Sequence, residues 1–343
     1  MFSRAQPHFP SAQDLQSTGL AQAELHERAF SAMVDGFGRN VFVRGVVEIS
    51  NFCRQNCSYC GMRRDNKELE RFRASADELA ELLIEHRPPS VTDVNIQAGE
   101  DPVAVREVAL PLIRALKAHT QLGISVCLGN LNPELYAELK RAGASIYILK
   151  FETADPEDYV RFSAPATMPK RLEHIRHLAD TGWNVSSGFI AGLPGQSMEA
   201  HLKNFALAAE LPLAGCSVSP FVPGEQTPLQ EGRGASIDLT LNSMAALRLM
   251  RPNWVIPAVS ALNLAEPGAG YRRGLRTGAN LVTINMTPPQ LREEYLLYKR
   301  ERFIMTEERI LKAIEEAGLN PSKQGLAAHY DEQRQAATRS NAA

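Results

Sequence analysis

Three cysteines, Cys53, Cys57 and Cys60, crowd into the segment EISNFCRQNCSYCGMRR. Intervals of four and three residues let one loop wrap three thiolates around a cuboidal iron–sulfur cluster. Such a cluster has four iron corners, so three cysteines leave one corner open to a small chelating ligand. A structural zinc ion would call for paired two-ligand knuckles, and the sequence holds no second knuckle. Cys127 and Cys216 stand alone on apolar runs and read as small buried hydrophobes. An odd total of five cysteines, three of them clustered, points to metal in a reducing compartment rather than to disulfides.

Other residues could serve the same site. Gly99 and Glu100 follow an apolar run, where a glycine turn frees backbone carbonyls and Glu100 adds a negative charge. Glu152 closes another run and points toward the same rim if the register holds. Arg171 lies near a predicted helix start, poorly matched to the local dipole but suited to two-pronged carboxylate binding. Ile190 and Leu193 sit in GFIAGLPGQ, where glycines let backbone approach a flat ligand. Arg63, Asn66, Arg71 and Arg73 either organise the cysteine loop or form a solvated charged face. Asn95, Gln97, Ser187, Ser219, Thr283, Asn285 and Thr287 lie near strand ends and could hydrogen-bond a substrate, with Pro257 and Ser260 shaping the far side. For each of these the ordinary alternative is a helix cap, a turn or a satisfied polar group.

The elements that must position these residues repeat eight times: a short β-branched run, a loop with Gly, Pro or Asn, then an amphipathic helix. The predicted strands are 41–49, 91–97, 124–128, 146–151, 185–190, 216–221, 254–259 and 281–286. Several are apolar almost throughout, as parallel strands covered by helices must be. Predicted helices occupy 76–86, 102–118, 133–142, 169–181, 197–211 and 239–250, most ending at Gly or before Pro. Strict alternation predicts an α/β fold, a (βα)8 TIM-type barrel, with its chemistry at the C-terminal rim. An open doubly wound sheet is disfavoured because no Gly-rich dinucleotide loop follows the first strand. The organisation expected is an N-terminal helical extension over 1–37 and the barrel over 38–328, including a C-terminal helix at 306–317. A polar, disordered tail is expected over 329–343.

CxxxCxxC with an aromatic residue, here Tyr59, before the last cysteine resembles the signature of the radical SAM superfamily. The resemblance runs from about Val41 to Leu326. The phrases CGMRRDNKELERFR, NIQAGEDP, KFETADPE, GFIAGLPGQ and GANLVTINMTP are similar to those of FeFe-hydrogenase maturase HydE and methylornithine synthase, in the group that also contains biotin synthase. The resemblance implies a 4Fe-4S cluster on Cys53, Cys57 and Cys60 that reductively cleaves S-adenosylmethionine. The 5′-deoxyadenosyl radical so formed would remove hydrogen from a small substrate in the barrel. It further implies cofactor contacts from Tyr59, Gly99 with Glu100 (amino group), Glu152 (ribose or amino end), Arg171 (carboxylate), and Ile190 or Leu193 (adenine). An external low-potential electron donor such as a flavodoxin or ferredoxin would serve it.

The chain departs from the biotin synthase pattern. The second-cluster ligand positions fall at Gln97, Ser125 and Ser186, Cys127 is displaced, and no Arg occurs between Pro252 and Gly270. Sulfur insertion of that kind is therefore disfavoured. No cysteine follows Cys216, so the accessory C-terminal cluster of some HydE proteins is missing too. A barrel that carries a cluster without catalysis is the competing class. Composition narrows the rest: 44% hydrophobic and 22% charged residues with a net charge of −2 suit an ordinary soluble globule and give no reason to expect nucleic acid. Neither a signal peptide nor a membrane span is legible, which predicts a cytoplasmic protein.

Overall fold

The computed structural model describes residues 9–301 and 303–341. The apolar runs form seven parallel strands: β1 (Asn40–Ser50), β2 (Asp93–Ala98), β3 (Gly123–Cys127), β4 (Ile146–Ile148), β5 (Asn184–Ala191), β6 (Gly215–Pro220) and β7 (Leu281–Asn285). They follow the spatial order β6-β5-β4-β3-β2-β1-β7, every neighbouring pair parallel. Strand β1 is buried at every position after Asn40, because helices cover its outer face and the other staves its inner one.

The run 254–259, predicted as a full strand, is corrected to single-residue contacts. Val255 bridges Gly215 of β6 and Pro257 bridges Leu281 of β7, which joins the two ends of the sheet. Pro257 has no N–H to donate, so a continuous ladder is interrupted where the sequence pattern alone looks strand-like. The curled sheet is thus a TIM-type barrel with one irregular stave.

The helices start where side chains cap them. Ser75, Asn132, Ser197 and Thr306 each accept a hydrogen bond from a backbone N–H in the first turn that follows. The predicted helix at 102–118 is helical but contains a π-turn at Val105–Ala109, just ahead of Pro111, whose missing N–H prevents a regular bond there. The N-terminal helices, Ala12–Leu15 and Gly19–Phe37, rest on the helix Ile237–Met250, where Asn242 Nδ2 donates to the carbonyls of Leu15 and Ser17. Residues 1–8 of the expected extension lie outside the described residues.

The expected disordered tail from 329 is corrected through Asn341, since Leu326–Asn341 forms a helix. Its polar composition suggests disorder, but its first turn is anchored: the Leu326 and Ala327 N–H groups donate to Asp93 at 2.6 and 3.0 Å. Leu326 and Tyr330 are buried at the barrel's lower end. The preceding helix, Glu307–Glu316, ends ahead of Gly318 in the left-handed region. No helix among the described residues is long and apolar enough to cross a membrane.

Candidate active site

The cysteine loop leaves the C-terminal end of β1, at the rim where barrel folds place chemistry. Arg71 holds it in shape. Its Nη1 donates to the carbonyls of Asn51 and Met62 at 2.6 and 2.9 Å, and its Nη2 to those of Arg63 and Asn66 at 2.7 and 3.1 Å. Asn66 Nδ2 ties back to the Gly61 carbonyl at 2.7 Å. Of the post-loop residues, Arg71 and Asn66 therefore organise the loop, whereas Arg73 pairs with Asp101 at 2.7 Å.

Three observations bear on whether this loop fits a cluster. Its cysteines line one cavity, and the Glu100 N–H donates to Cys53 Sγ at 3.3 Å, a bond suited to a thiolate. Gly99 lies so close to the loop that a Cβ there would stand 2.2 Å from the Phe52 carbonyl oxygen, so only glycine lets β2 close against it. Burial, then the neighbouring Cys53, pushes the Cys60 thiol up to about 12, and burial likewise raises Cys53 and Cys57. Thiols so placed are neutral by themselves and need a cationic centre to become ligands. A cuboidal cluster takes each thiolate at a separate iron, and three cysteines lining one cavity fit such a group.

From this rim a cavity of about 380 Å³ runs down the barrel. Of the residues singled out from sequence, Tyr59, Gly99, Glu100, Glu152, Arg171, Ile190, Asn95, Gln97, Ser219, Thr283, Asn285, Pro257 and Ser260 line it together with the three cysteines. Three do not. Ser187 is fully buried and its Oγ donates to the Leu149 carbonyl at 2.8 Å, while the neighbouring Ser186 lines the cavity. The alternation of a strand makes this a one-residue error. Thr287 accepts the Glu48 N–H at 2.9 Å and is buried. Leu193 packs behind the wall, with Phe162, Ile190 and Phe221.

Glu100, expected to meet an ammonium, is engaged within the protein. Its Oε1 accepts from Arg54 Nε and Gln55 Nε2, each at 2.6 Å, and its Oε2 from the Asn130 N–H at 2.8 Å, with Arg171 Nη1 at 4.0 Å. Gly129, at φ +72°, makes room for it, since a Cβ there would lie 2.6 Å from Oε2. Arg171 is buried, donating from Nε to the Lys150 carbonyl at 2.8 Å and from Nη1 to Asn130 Oδ1 at 2.7 Å.

Glu152 has φ +66°, a left-handed conformation that costs a non-glycine residue about 1–3 kcal/mol. Two bonds to β5 enforce it, from its N–H to the Gly188 carbonyl and from the Ile190 N–H to its own carbonyl. Its Oε2 lies 3.2 Å from Lys150 Nζ. Burial works most strongly against the Lys150 charge, but Glu152, Tyr298 and Cys127 together hold the ammonium above its usual range.

Sequence reasoning missed Lys150, Glu48 and Arg44, all of which line the cavity. Glu48 accepts from Gln97 Nε2 at 3.3 Å and Asn285 Nδ2 at 3.2 Å. Arg44, Val46 and Glu48 alternate along β1, so period-two spacing through the first strand would have marked all three. Cys127 also lines the cavity, contrary to its reading as a buried hydrophobe, whereas Cys216 is buried and lies outside it.

Residues 47–207 match the radical SAM superfamily. The chain is 32% identical over 296 residues to the FeFe-hydrogenase maturase subunit HydE of Thermotoga maritima, covering 83% of each protein. The chain belongs to the radical SAM superfamily. It is a radical SAM enzyme homologous to HydE, to methylornithine synthase and to biotin synthase. The 3-methylornithine synthase of Methanosarcina acetivorans is 27% identical over 296 residues, 84% of this chain and 82% of that one. In fold, this radical SAM enzyme is similar to the crystal structure of methylornithine synthase (PylB), with a TM-score of 0.83 at 24% identity over 96% of this chain and 97% of that one.

Proposed function

We propose that Cys53, Cys57 and Cys60 hold a 4Fe-4S cluster through three of its irons and that the enzyme cleaves S-adenosylmethionine at the fourth. Three cysteines that line one cavity with Arg171, Glu152 and the Gly99 turn carry this reading. When bound, cluster and S-adenosylmethionine together supply a 5′-deoxyadenosyl radical, with the electron drawn from an external donor such as a flavodoxin or ferredoxin. The chain's own residues bind and orient. Arg171, fixed on two sides by Asn130 and the Lys150 carbonyl, offers its guanidinium to the methionyl carboxylate. Glu152 accepts from the ribose or the amino group. Tyr59 and Ile190 border the adenine, and Leu193 supports Ile190 from behind. Glu100 acts as a positioning residue, joining the cysteine loop through Arg54 and Gln55 to the turn at Asn130. Below them, Asn95, Gln97, Ser219, Thr283 and Asn285 present hydrogen-bonding groups to a small substrate in the same cavity.

Anaerobically reconstituted, reduced protein mixed with S-adenosylmethionine should yield 5′-deoxyadenosine, and Cys57→Ala should yield none above background. Equal yields from the two proteins would refute the reading.

A further inference from the structure

Four of the five cysteines line the cavity, and the cysteine loop accounts for three of them. The fourth, Cys127, closes β3. Register fixes its height: Cys127 stands opposite Gln97 of β2, which stands opposite Glu48 of β1, so the three share one layer of the barrel. Gly129, two residues further on, packs against Glu100, which puts the thiol no more than about 7 Å of chain below the rim turn. Arg171 and Glu152, both assigned to the cofactor, are among its charged neighbours. Cys127 is half-buried and open to the cavity, whereas Cys216 is buried and lies outside it. Two further side chains of the cavity, Arg44 and Asn263, are 9% and 1% exposed and keep Nε and Nδ2 without a hydrogen-bond partner. Buried polar atoms left open in a cavity mark a space built for a ligand, and the thiol faces that space.

Burial is the largest influence on the Cys127 thiol and pushes its pKa up, so the sulfur keeps its hydrogen at neutral pH. A neutral thiol is a poor nucleophile and a poor metal ligand. It is a good hydrogen-atom donor, because an S–H bond is weaker than the C–H bonds of an alkyl group. We infer that Cys127 is a catalytic residue, the hydrogen-atom donor that quenches the product radical. This rests on the proposed function. Once a substrate carbon has lost its hydrogen atom and the resulting radical has rearranged, Cys127 gives up its own. The S–H bond breaks, a C–H bond forms, and the odd electron passes to sulfur. One electron from the external donor and one proton from solvent restore the thiol. Each turnover then consumes one S-adenosylmethionine and two electrons, and the product carries a hydrogen that came from solvent.

The test needs no substrate, because in its absence the radical made by cleavage meets the thiol directly. Reconstituted full-length enzyme, reduced with titanium(III) citrate in thiol-free deuterium oxide, is given S-adenosylmethionine alone. The 5′-deoxyadenosine formed should carry deuterium in its methyl group, and a nitrone spin trap should mark the peptide that holds Cys127. Cys127→Ala and Cys127→Ser should lose both signals, and Cys216→Ala should keep them. Wild-type 5′-deoxyadenosine free of deuterium, equal deuterium content in the Cys127 variants, or a spin-trap adduct on other residues only would overturn the donor. Should neither Cys127 variant fold, the wild-type deuterium content and the position of the adduct decide. The wild-type sample also keeps the two claims apart: 5′-deoxyadenosine without deuterium sinks only the donor, and no 5′-deoxyadenosine sinks the proposed function and the donor with it.

Discussion

Arg248 and Arg44 are both buried arginines, and the fold treats them in opposite ways. Arg248, in the helix behind the barrel wall, donates from Nε to the Gly278 carbonyl at 2.8 Å. Its Nη1 donates to the Pro252 and Trp254 carbonyls, each at 2.7 Å, and its Nη2 to Asn280 Oδ1 at 2.9 Å. Every guanidinium nitrogen is used, and the arginine stitches the Ile237–Met250 helix to the irregular stave and to β7. Arg44, on the cavity side, has an orphaned Nε and one long bond. Arg248 completes the architecture, whereas Arg44 adds little to it. The wall should therefore fail by unfolding, and the cavity by losing chemistry while the fold stays.

The largest effect should come from the rim. Cys57→Ala should abolish 5′-deoxyadenosine formation while the apoprotein keeps its far-ultraviolet circular dichroism and melts within a few degrees of wild type. A collapsed fold would erase the distinction between wall and cavity. Next, Arg248→Met should lower the unfolding free energy by about 3–5 kcal/mol in denaturant titrations, because three carbonyls and an amide oxygen lose their donor at once. A loss under 1 kcal/mol would show that the wall does not depend on that network.

His201 gives the wall a pH signature. It is buried between the helices Met198–Glu210 and Ile237–Met250, with Nε2 2.9 Å from Ser243 Oγ, and burial lowers its pKa to about 4. The folded value lies below the unfolded one of 6.5, so its contribution is complete above pH 6.5 and is lost as pH falls from 6.5 toward 4. That loss is about 3 kcal/mol. His201→Gln should flatten the fall in stability across this window, and parallel curves would contradict the assignment. The smallest effect is expected of Arg44→Met, which should change stability by about 1 kcal/mol or less, or raise it, since an unmatched charge gives way to an apolar chain. A loss as large as that of Arg248→Met would break the comparison.

Much of this was legible beforehand, for physical reasons that differ between regions. Spacing alone exposed Cys53, Cys57 and Cys60, because ligands of one centre on one loop are close in sequence. The parallel strands showed as apolar runs because both their faces are covered. The irregular stave at 254–259 did not, since a proline interrupts hydrogen bonding without disturbing hydrophobicity. Ser187 was taken for Ser186 because a polar pair on a strand leaves its facing ambiguous until a neighbour fixes the register. Arg44 and Glu48 escaped notice for the converse reason: on a strand read as apolar, charges look like interruptions, although their period-two spacing places them together inside the barrel. The saturation of Glu100 was beyond reach, for Arg54, Gln55 and Asn130 meet it only in three dimensions.

The most direct test of the account is electron paramagnetic resonance on the anaerobically reconstituted, reduced enzyme with and without S-adenosylmethionine. A cluster held by Cys53, Cys57 and Cys60 alone should give a 4Fe-4S signal that shifts when the cofactor binds its open iron. Protein that holds zinc and no iron, or an iron signal unchanged by the cofactor, would contradict it.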